Sequence, residues 1–307
     1  MSLTHQTTQV PGDRDIARGS LAVVVPAGPG DDVEDTLRSV LHYAGAPRSV
    51  IVVDDTGGGC AGLEALSPDV HVIPAPAGAV GAQGGLWVKL AAGYRHALAV
   101  ASFDVLLRLD ADALVIGPGL EDLARARFAA EPGLGMLGSY RHDMTGAVRD
   151  WSPAARALGA ACGLRGLRRP ALRRMLRRLR DEALANGYLA GEHPLGGAYL
   201  HSAAAVRAIA ARGWLDLPGL AASDLGEDHL FALLTVAAGF TIADFGGPRD
   251  PMALRWRGLP ASPADLLARN KLVTHSVRYW DDLDERSIRA AFAARRAREE
   301  SGGGPPR

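Results

Sequence analysis

Apolar and polar positions along the chain form two alternating patterns, one typical of buried strands and one of helices with a single apolar face. SLAVVVPAG (20–28) is an unbroken apolar run that ends in proline and glycine, as expected for a strand buried on both faces. Residues 31–43 follow with apolar side chains at helical spacing. Asp31 and Asp32 lie near the start of this segment, where acidic side chains favour a helix. The chain therefore opens with a strand followed by a helix.

The same alternation continues along the first half of the chain and becomes looser after residue 134. Because strands alternate with helices, the sequence predicts an α/β fold with a doubly wound, mostly parallel sheet flanked by helices. Further strands are predicted at 49–59, 70–76, 103–110, 133–140, 198–202, 241–245 and 272–276. Further helices are predicted at 84–101, at 152–185 with a break at Pro170, at 203–212 and at 227–239.

Length and composition add limits to this picture. With 307 residues, of which 48% are hydrophobic, the chain can form one large domain. We expect that domain to span 20–300, with a regular first half (20–140) and an irregular second half (141–300). The polar ends at 1–19 and 301–307 are predicted to be disordered tails.

The charges and cysteines exclude several classes of protein. The 34 basic and 34 acidic residues balance, so no net field attracts nucleic acid. Cys60 and Cys162 are too few for a disulfide framework. The first residues lack the apolar core of a signal peptide, and no apolar run has the length of a transmembrane helix. These features predict a soluble, cytoplasmic protein without a nucleic-acid partner.

The sharpest candidate for chemistry is the motif Asp110-Ala111-Asp112, which ends an apolar strand. In an extended segment alternate side chains share a face, so the two carboxylates are predicted to project together. Ligands of doubly wound sheets bind at the carboxyl ends of the strands, and paired carboxylates there suit a hard divalent cation that bridges a diphosphate. The alternative is a solvated strand end with two acids. Arg108, two residues earlier, is expected to pair with an acid.

Four segments, taken in order, resemble family 2-like glycosyltransferases of the GT-A fold, in the nucleotide-diphospho-sugar transferase superfamily. VVVPAGPGDDVEDTLRSVL is similar to their opening strand and helix, and VIVVDDTGGG to the second strand with its nucleoside-binding acid. RLDADALV resembles their metal-binding strand, and GEDHLF their catalytic acidic pair. The resemblance covers roughly residues 20–245. It departs after Pro26, where Ala27-Gly28-Pro29-Gly30 replaces the usual aromatic residue and asparagine.

This resemblance implies a set of roles. Asp110 and Asp112 would hold Mn²⁺ or Mg²⁺, with His275 as a third ligand. Asp228, next to Glu227, would be the base that deprotonates the acceptor. The residues implied in donor binding are Pro26, Ala27, Asp54, Asp55, Lys89, Asp110, Ala111, Gly196 and Gly197. Trp151, Tyr199, Trp214 and Trp256 are candidates to stack on a sugar.

Each of these roles has a plainer alternative. Asp54 and Asp55 could close an Asx turn beside glycine. Lys89 could be a solvated helix residue, and Glu227-Asp228 a pair of helix-terminal acids. His275 could be a strand histidine bonded to backbone.

The resemblance implies a metal-dependent transferase of the hexosyltransferase type (glycosyltransferase), with a UDP- or GDP-sugar as donor and direct inversion at the sugar. The acceptor is left open among a small molecule, a glycan and a lipid-linked molecule. The alternatives are a retaining GT-A transferase, a nucleotidyltransferase, and an inactive nucleotide-sugar-binding module. A nucleotidyltransferase would normally carry a basic glycine-rich loop after the first strand, whereas Asp31 and Asp32 make this loop acidic.

One arginine-rich segment stands apart from these motifs. Residues 163–183 place arginines around a single apolar face at helical spacing, formed by Leu172, Met175, Leu176 and Leu179. The segment fits peripheral contact with an anionic membrane, contact with an acceptor phosphate, or a solvated helix. The neutral net charge and the general preference for arginine in this chain favour the solvated helix.

Overall fold

A computed structural model of the chain describes residues 20–77 and 83–302. The tail predicted at 1–19 and residues 303–307 of the tail predicted at 301–307 lie outside the described residues. Ser301 and Gly302 continue from the last helix, and the backbone N–H of Ser301 donates to Ala297. Among the described helices, none is both long and apolar enough to cross a membrane.

Twelve strands and nine helices are formed within the described residues. The strands are β1 (Leu21–Ala27), β2 (Arg48–Asp54), β3 (Val70–Pro74), β4 (Val105–Leu109), β5 (Ala113–Val115), β6 (Leu134–Gly138), β7 (Ala198–Ser202), β8 (Thr241–Asp244), β9 (Met252–Leu254), β10 (Val273–His275), β11 (Tyr279–Trp280) and β12 (Leu283–Asp284). The helices are α1 (Val33–Tyr43), α2 (Gln83–Val100), α3 (Leu120–Ala130), α4 (Ser152–Cys162), α5 (Pro170–Ala185), α6 (Ala203–Ala211), α7 (Glu227–Ala237), α8 (Pro263–Ala268) and α9 (Glu285–Glu300).

Seven strands form the central sheet in the order β3-β2-β1-β4-β7-β6-β8. Strands β3, β2, β1 and β4 run parallel, β7 is antiparallel to both of its neighbours, and β6 and β8 are again parallel. The predicted α/β class with a mostly parallel sheet is therefore confirmed. A small sheet, β5-β10-β9, and the hairpin β11-β12 lie outside the central sheet.

The central sheet is covered on both faces, which explains why its inner strands are largely apolar. Every residue of β1 is buried: Val24 joins a core formed with α2 and α4–α7, while Val23 and Val25 join a second core formed with α1 and α3. Helix α2 approaches the sheet closely at Gly93, where a Cβ atom would lie 2.4 Å from Cγ1 of Val24. Alternate side chains of one strand thus support two helical layers.

The break predicted at Pro170 is present. Helix α4 ends at Cys162, a 3₁₀ turn spans Arg165–Arg168, and Pro170 is the first residue of α5. Proline favours this position because its missing N–H has no helical acceptor there. Along α5, Leu176 and Leu179 are buried, as the predicted apolar face requires.

The sequence patterns did not predict the smallest strands or the last two helices. Strands β5 and β9 have only three residues each, too few for a periodicity to be read. Helix α9 is rich in arginine and glutamate, yet its Ile288 and Phe292 are buried in a third apolar cluster. Its Arg289 is also buried and donates to the carbonyl of Ala111 at 2.7 Å.

Candidate functional site

The candidate site lies beyond the carboxyl ends of β1 and β4, where the sequence motifs were expected to meet. Two cavities adjoin there, one of about 390 Å³ and one of about 510 Å³. Leu86, Asp110 and Asp112 line both of them. The first is bounded by the loop after β1, and the second by the start of α7.

Asp110, Asp112 and His275 form a cluster in which one possible ligand atom from each lies within 4.8 Å of the others. Nε2 of His275 is 3.2 Å from Oδ1 of Asp112 and 3.6 Å from Oδ2 of Asp110. His275 comes from β10, which pairs with β5 immediately after the two acids. The small sheet thus brings a residue from late in the chain to the end of β4.

Asp110 and Asp112 were predicted to project together because they would lie in an extended strand, and that reason was wrong. They are not part of an extended strand: β4 ends at Leu109, and the N–H of Ala113 donates to the carbonyl of Asp110 at 3.0 Å. The two acids occupy a tight turn between β4 and β5. Both still face His275, because the turn folds around it.

Asp112 uses its two oxygens differently. Oδ2 accepts from the hydroxyl of Ser276 at 2.7 Å and from Nε of Arg278 at 3.1 Å, while Oδ1 faces His275. Burial raises the pKa of Asp112, but the interactions with His275, Ser276 and Arg278 outweigh it and hold the pKa well below its usual range. Asp112 is therefore a carboxylate with one oxygen directed at the cluster.

The donor set of this cluster fits a divalent cation. It offers carboxylate oxygens and an imidazole nitrogen, and Mn²⁺ accepts both kinds of ligand, whereas Mg²⁺ prefers oxygen. The other ring nitrogen of His275, Nδ1, is buried and has no hydrogen-bond partner among the described residues. Gly197 makes room for this ring, and its carbonyl accepts from the N–H of Asp110 at 2.7 Å.

Glu227 and Asp228 begin α7 on the wall of the larger cavity. Arg108, which is wholly buried, places Nη2 2.9 Å from Oε1 of Glu227 and 2.8 Å from Oδ1 of Asp110. The expected pairing of Arg108 with an acid is thus confirmed for two acids. Burial raises the pKa of Glu227 to about 8, opposed by Arg108 and reinforced by the charges of Asp228 and Asp110.

Asp228 is held by backbone donors. The N–H of Gly196 donates to Oδ2 at 2.9 Å, and the N–H of His229 donates to Oδ1 at 2.7 Å. His193 lies beside it, with Nε2 3.8 Å from Oδ2. Nδ1 of His193 is 2.7 Å from the carbonyl of Gly191, so this nitrogen carries the proton and Nε2 is left to face Asp228. His229 stacks on His193 and does not line the cavity.

The predicted donor-binding residues divide into three groups. The smaller cavity is lined by Pro26, Ala27, Lys89, Asp110 and Ala111. The larger cavity is lined by Gly196 and Gly197, together with Asp110. Asp54 and Asp55 line neither cavity.

Asp54 accepts from the N–H of Thr56 at 2.7 Å, which is the Asx turn that was the alternative interpretation. Burial raises the pKa of Asp54, but the hydrogen bonds from Thr56 outweigh it and leave the pKa below its usual value. Asp55 forms an ion pair with Lys89 instead. Lys89 is thus not a solvated lysine, because it is partnered at the edge of the smaller cavity.

Sequence reasoning missed Arg278 and His193. Arg278 lines the smaller cavity and links Asp31 (2.8 Å), Asp112 (3.1 Å) and Glu285 (3.2 Å). Its position three residues after His275 was the signal that could have found it. His193 stands three residues before Gly196 in a segment that was already a candidate.

The candidate aromatic residues also separate in space. Trp256 lines the larger cavity and is 73% exposed. Tyr199 is wholly buried in the core, Trp214 is buried, and Trp151 stacks on Tyr140. Of the four, Trp256 therefore has a ring available to a ligand in the cavity.

Comparison with known proteins gives matches at the level of solved structures. No family model matches the chain, and no curated protein sequence matches it. A mannosyltransferase from Pyrobaculum calidifontis, in complex with GDP-Man and Mn²⁺, is similar at 17% identity with a TM-score of 0.39, over 73% of this chain. The match spans only 54% of the mannosyltransferase, about half its length.

Glucosyl-3-phosphoglycerate synthase from Mycobacterium tuberculosis, in complex with Mn²⁺, UDP-glucose and phosphoglyceric acid, is similar at 17% identity with a TM-score of 0.40. That match covers 92% of this chain and 81% of the synthase. At this low sequence identity and TM-score, neither structure indicates the reaction of this chain.

Proposed function

We propose that the protein is a metal-dependent glycosyltransferase that moves a sugar from a nucleoside-diphosphate donor to a hydroxyl group of an acceptor. One observation carries the proposal. The cluster of Asp110, Asp112 and His275 lies at the end of β4, and Asp228 lines the cavity that this cluster shares. A cation site and a carboxylate on one cavity are what transfer from a diphosphate leaving group requires.

Asp110, Asp112 and His275 would hold the metal ion, and the nitrogen ligand favours Mn²⁺ over Mg²⁺. When bound, the ion supplies positive charge that neutralises the departing nucleoside diphosphate. The smaller cavity would receive the nucleotide, since the loop after β1 forms its wall. Lys89 and Arg278 are the cations on that wall. Because both are already paired with carboxylates, a bound diphosphate would share or replace those pairs.

Asp228 would act as the base. Its two backbone hydrogen bonds fix the carboxylate beside the larger cavity. The acceptor hydroxyl would transfer its proton to Asp228 as its oxygen attacks the anomeric carbon, which inverts the configuration of the sugar. The ring of Trp256 would provide an apolar surface for a sugar face.

A retaining transfer, in which His275 would be a metal ligand and no residue would act as a base, is the second candidate. The cluster of His275 with Asp110 and Asp112 fits either mechanism. Analysis of the anomeric configuration of the product separates the two mechanisms directly.

The donor site is tested by thermal unfolding with UDP, GDP and other nucleoside diphosphates, with and without Mn²⁺. We expect at least one nucleotide to raise the melting temperature only when Mn²⁺ is present. Asp112→Asn should abolish this effect, while Asp181→Asn, at an exposed position on α5, should leave it intact. The absence of any metal-dependent stabilisation by a nucleotide in the wild-type protein would contradict the proposal.

The base is tested separately with Asp228→Asn. This variant keeps the size of the side chain, so we expect nucleotide binding with Mn²⁺ to be retained and transfer to fall by about 10² to 10⁴-fold. If the variant transferred sugar at the wild-type rate, the assignment of Asp228 would be wrong. The metal and nucleotide sites would then still stand on the binding result.

A further inference from the structure

A surface far along the chain from the metal cluster combines exposed leucines with arginines. It consists of residues 164–174, which form the end of the α4–α5 connection, its 3₁₀ turn and the first turn of α5. We call it the 164–174 edge. Leu164 is 84% exposed and Leu167 is 56% exposed. These two leucines, three positions from one another, form an exposed apolar patch on the surface of the domain.

The charge of the 164–174 edge is entirely positive. It contains five arginines and no acidic residue, although the whole chain is neutral. Arg169 lies 3.5 Å from Asp224, and Nε of Arg173 donates to the carbonyls of Cys162 and Gly163. In contrast, Arg165, Arg168 and Arg174 are exposed and form no ion pair with a carboxylate among the described residues. Their charges are free to meet an anionic partner.

A groove of about 730 Å³ lies against this edge, between α4 and α5. Its lining is apolar at Ala160, Ala161, Leu172, Leu176 and Leu225. The exposed arginines at 165, 168 and 169 also line it. Exposed cationic side chains thus lie beside an apolar surface. This arrangement suits a bilayer surface, where anionic headgroups lie above acyl chains.

The groove and the candidate site share one stretch of chain. Ser223, Asp224 and Leu225 line the groove, and the next residues, Gly226, Glu227 and Asp228, line the larger cavity of the site. A surface bound at the groove would therefore lie on the side of the molecule from which α7 begins.

A solvated helix explains only part of these observations. Further along α5, Arg178 pairs with Glu182 and Arg180 pairs with Asp181, as expected of a solvated face. That interpretation does not account for Leu164 and Leu167, which lie outside the helix and are exposed to water. A small soluble anion would likewise use the arginines and leave the leucines without a role.

We infer that the 164–174 edge docks the protein on an anionic lipid bilayer. Leu164 and Leu167 enter the interfacial region, and Arg165, Arg168 and Arg174 lie next to lipid phosphates. The net charge of the chain is zero, so the attraction is local and depends on this edge alone. The inference concerns binding to a membrane and does not rest on the proposed reaction.

The test is co-sedimentation of the full-length protein with vesicles, without metal or nucleotide. We expect binding to vesicles of phosphatidylcholine mixed with phosphatidylglycerol, little binding to phosphatidylcholine alone, and release at high salt. The double variant Leu164→Gln/Leu167→Gln should weaken binding at least tenfold. Each of Arg165→Gln and Arg168→Gln should weaken it about fivefold.

The matched control is Leu123→Gln/Arg127→Gln on α3. Leu123 is 48% exposed and Arg127 is also exposed in part, so the control replaces one leucine and one arginine by glutamine elsewhere on the surface. It should bind vesicles like the wild type, and unchanged urea unfolding should show that all variants are folded. The inference is overturned if the protein does not bind anionic vesicles or if the 164–174 variants bind as well as the control. Thermal stabilisation by inorganic phosphate without vesicle binding would also overturn it.

Discussion

Gly197 stands directly against the imidazole of His275. A Cβ atom at position 197 would lie 2.4 Å from both Cγ and Nδ1 of the ring, closer than atoms can approach. Gly197 also has a φ of +98°, in the region that favours glycine. Gly197, which was predicted to bind the donor, therefore leaves the space that the histidine of the metal cluster occupies.

The first prediction is that Gly197→Ala displaces His275. We expect Mn²⁺ affinity to fall at least tenfold and the melting temperature to drop, because the new methyl group pushes the ring away from Asp112. The measurements are Mn²⁺ titration by calorimetry and thermal unfolding. Gly213→Ala is the control, since it has a φ of +69° and nothing within 4 Å of the added Cβ. The control should lose about 1–2 kcal/mol of stability and no Mn²⁺ affinity; equal Mn²⁺ affinity in both variants would contradict the prediction.

The second prediction concerns the buried pairing of Arg108 with Glu227 and Asp110. Arg108→Met should lower the free energy of unfolding by about 3–5 kcal/mol, because two acids then face one another without their cation. The double variant Arg108→Met/Glu227→Gln should recover part of the loss, since it removes one of the two acids left without their cation. Urea unfolding at neutral pH measures both. Equal stability of Arg108→Met and the wild type would show that the pair contributes nothing.

The third prediction concerns Lys271, a buried lysine whose ammonium group donates to backbone carbonyls. Its Nζ donates to the carbonyls of Gly247 (2.9 Å), Pro248 (3.1 Å) and Asp250 (2.6 Å), and so holds the loop before β9. Lys271→Met keeps the apolar stem but leaves the carbonyls of Pro248 and Asp250 without their side-chain donor. We expect a loss of about 3 kcal/mol in urea unfolding.

Arg269→Met is the control for Lys271→Met, because Arg269 is an exposed neighbour. It should change the free energy of unfolding by no more than about 0.5 kcal/mol. A Lys271→Met variant as stable as this control would mean that the three carbonyls do not need the ammonium group.

The fourth prediction concerns pH and the buried His201. Its Nδ1 lies 3.1 Å from the hydroxyl of Tyr94, and its Nε2 lies 3.1 Å from the hydroxyl oxygen of Thr235. Thr235 donates its own proton to the carbonyl of Phe231, so Nε2 of His201 is the donor and the ring is neutral. Burial lowers the pKa of His201 to about 3.

The folded pKa of His201 is thus lower than the unfolded value near 6.5. Its contribution to stability is present above pH 6.5 and is lost as the pH falls towards 3, because the unfolded chain takes up the proton first. This proton adds up to about 1.4 kcal/mol per pH unit to the slope of stability against pH. Urea unfolding between pH 6.5 and 4 should show a smaller slope in His201→Gln than in the wild type. Identical slopes in the two proteins would contradict the prediction.

The fold was predictable because the apolar runs are long and buried on both faces. Seven of the predicted strands correspond to the seven strands of the central sheet, and the order of strands and helices was sufficient for the α/β class. The small sheet was harder: only β10 of its strands was predicted, and nothing local indicated that it pairs with β5. Strands of three residues form because of their neighbours, not because of their own periodicity.

The position of the candidate site was predictable from the sequence. The contacts between its side chains were predictable only in part. Asp110 and Asp112 follow a buried strand, and parallel strands bring their carboxyl ends to one edge, so the sequence alone determined where these acids lie. The tertiary structure decided what faces them: His275 arrives through the small sheet, and Arg108 bridges Asp110 to the start of α7. The physical reason is the separation along the chain between the residues that determine each feature. Hydrophobic periodicity is set by near neighbours along the chain, whereas the role of a charged side chain depends on the partner that folding places next to it.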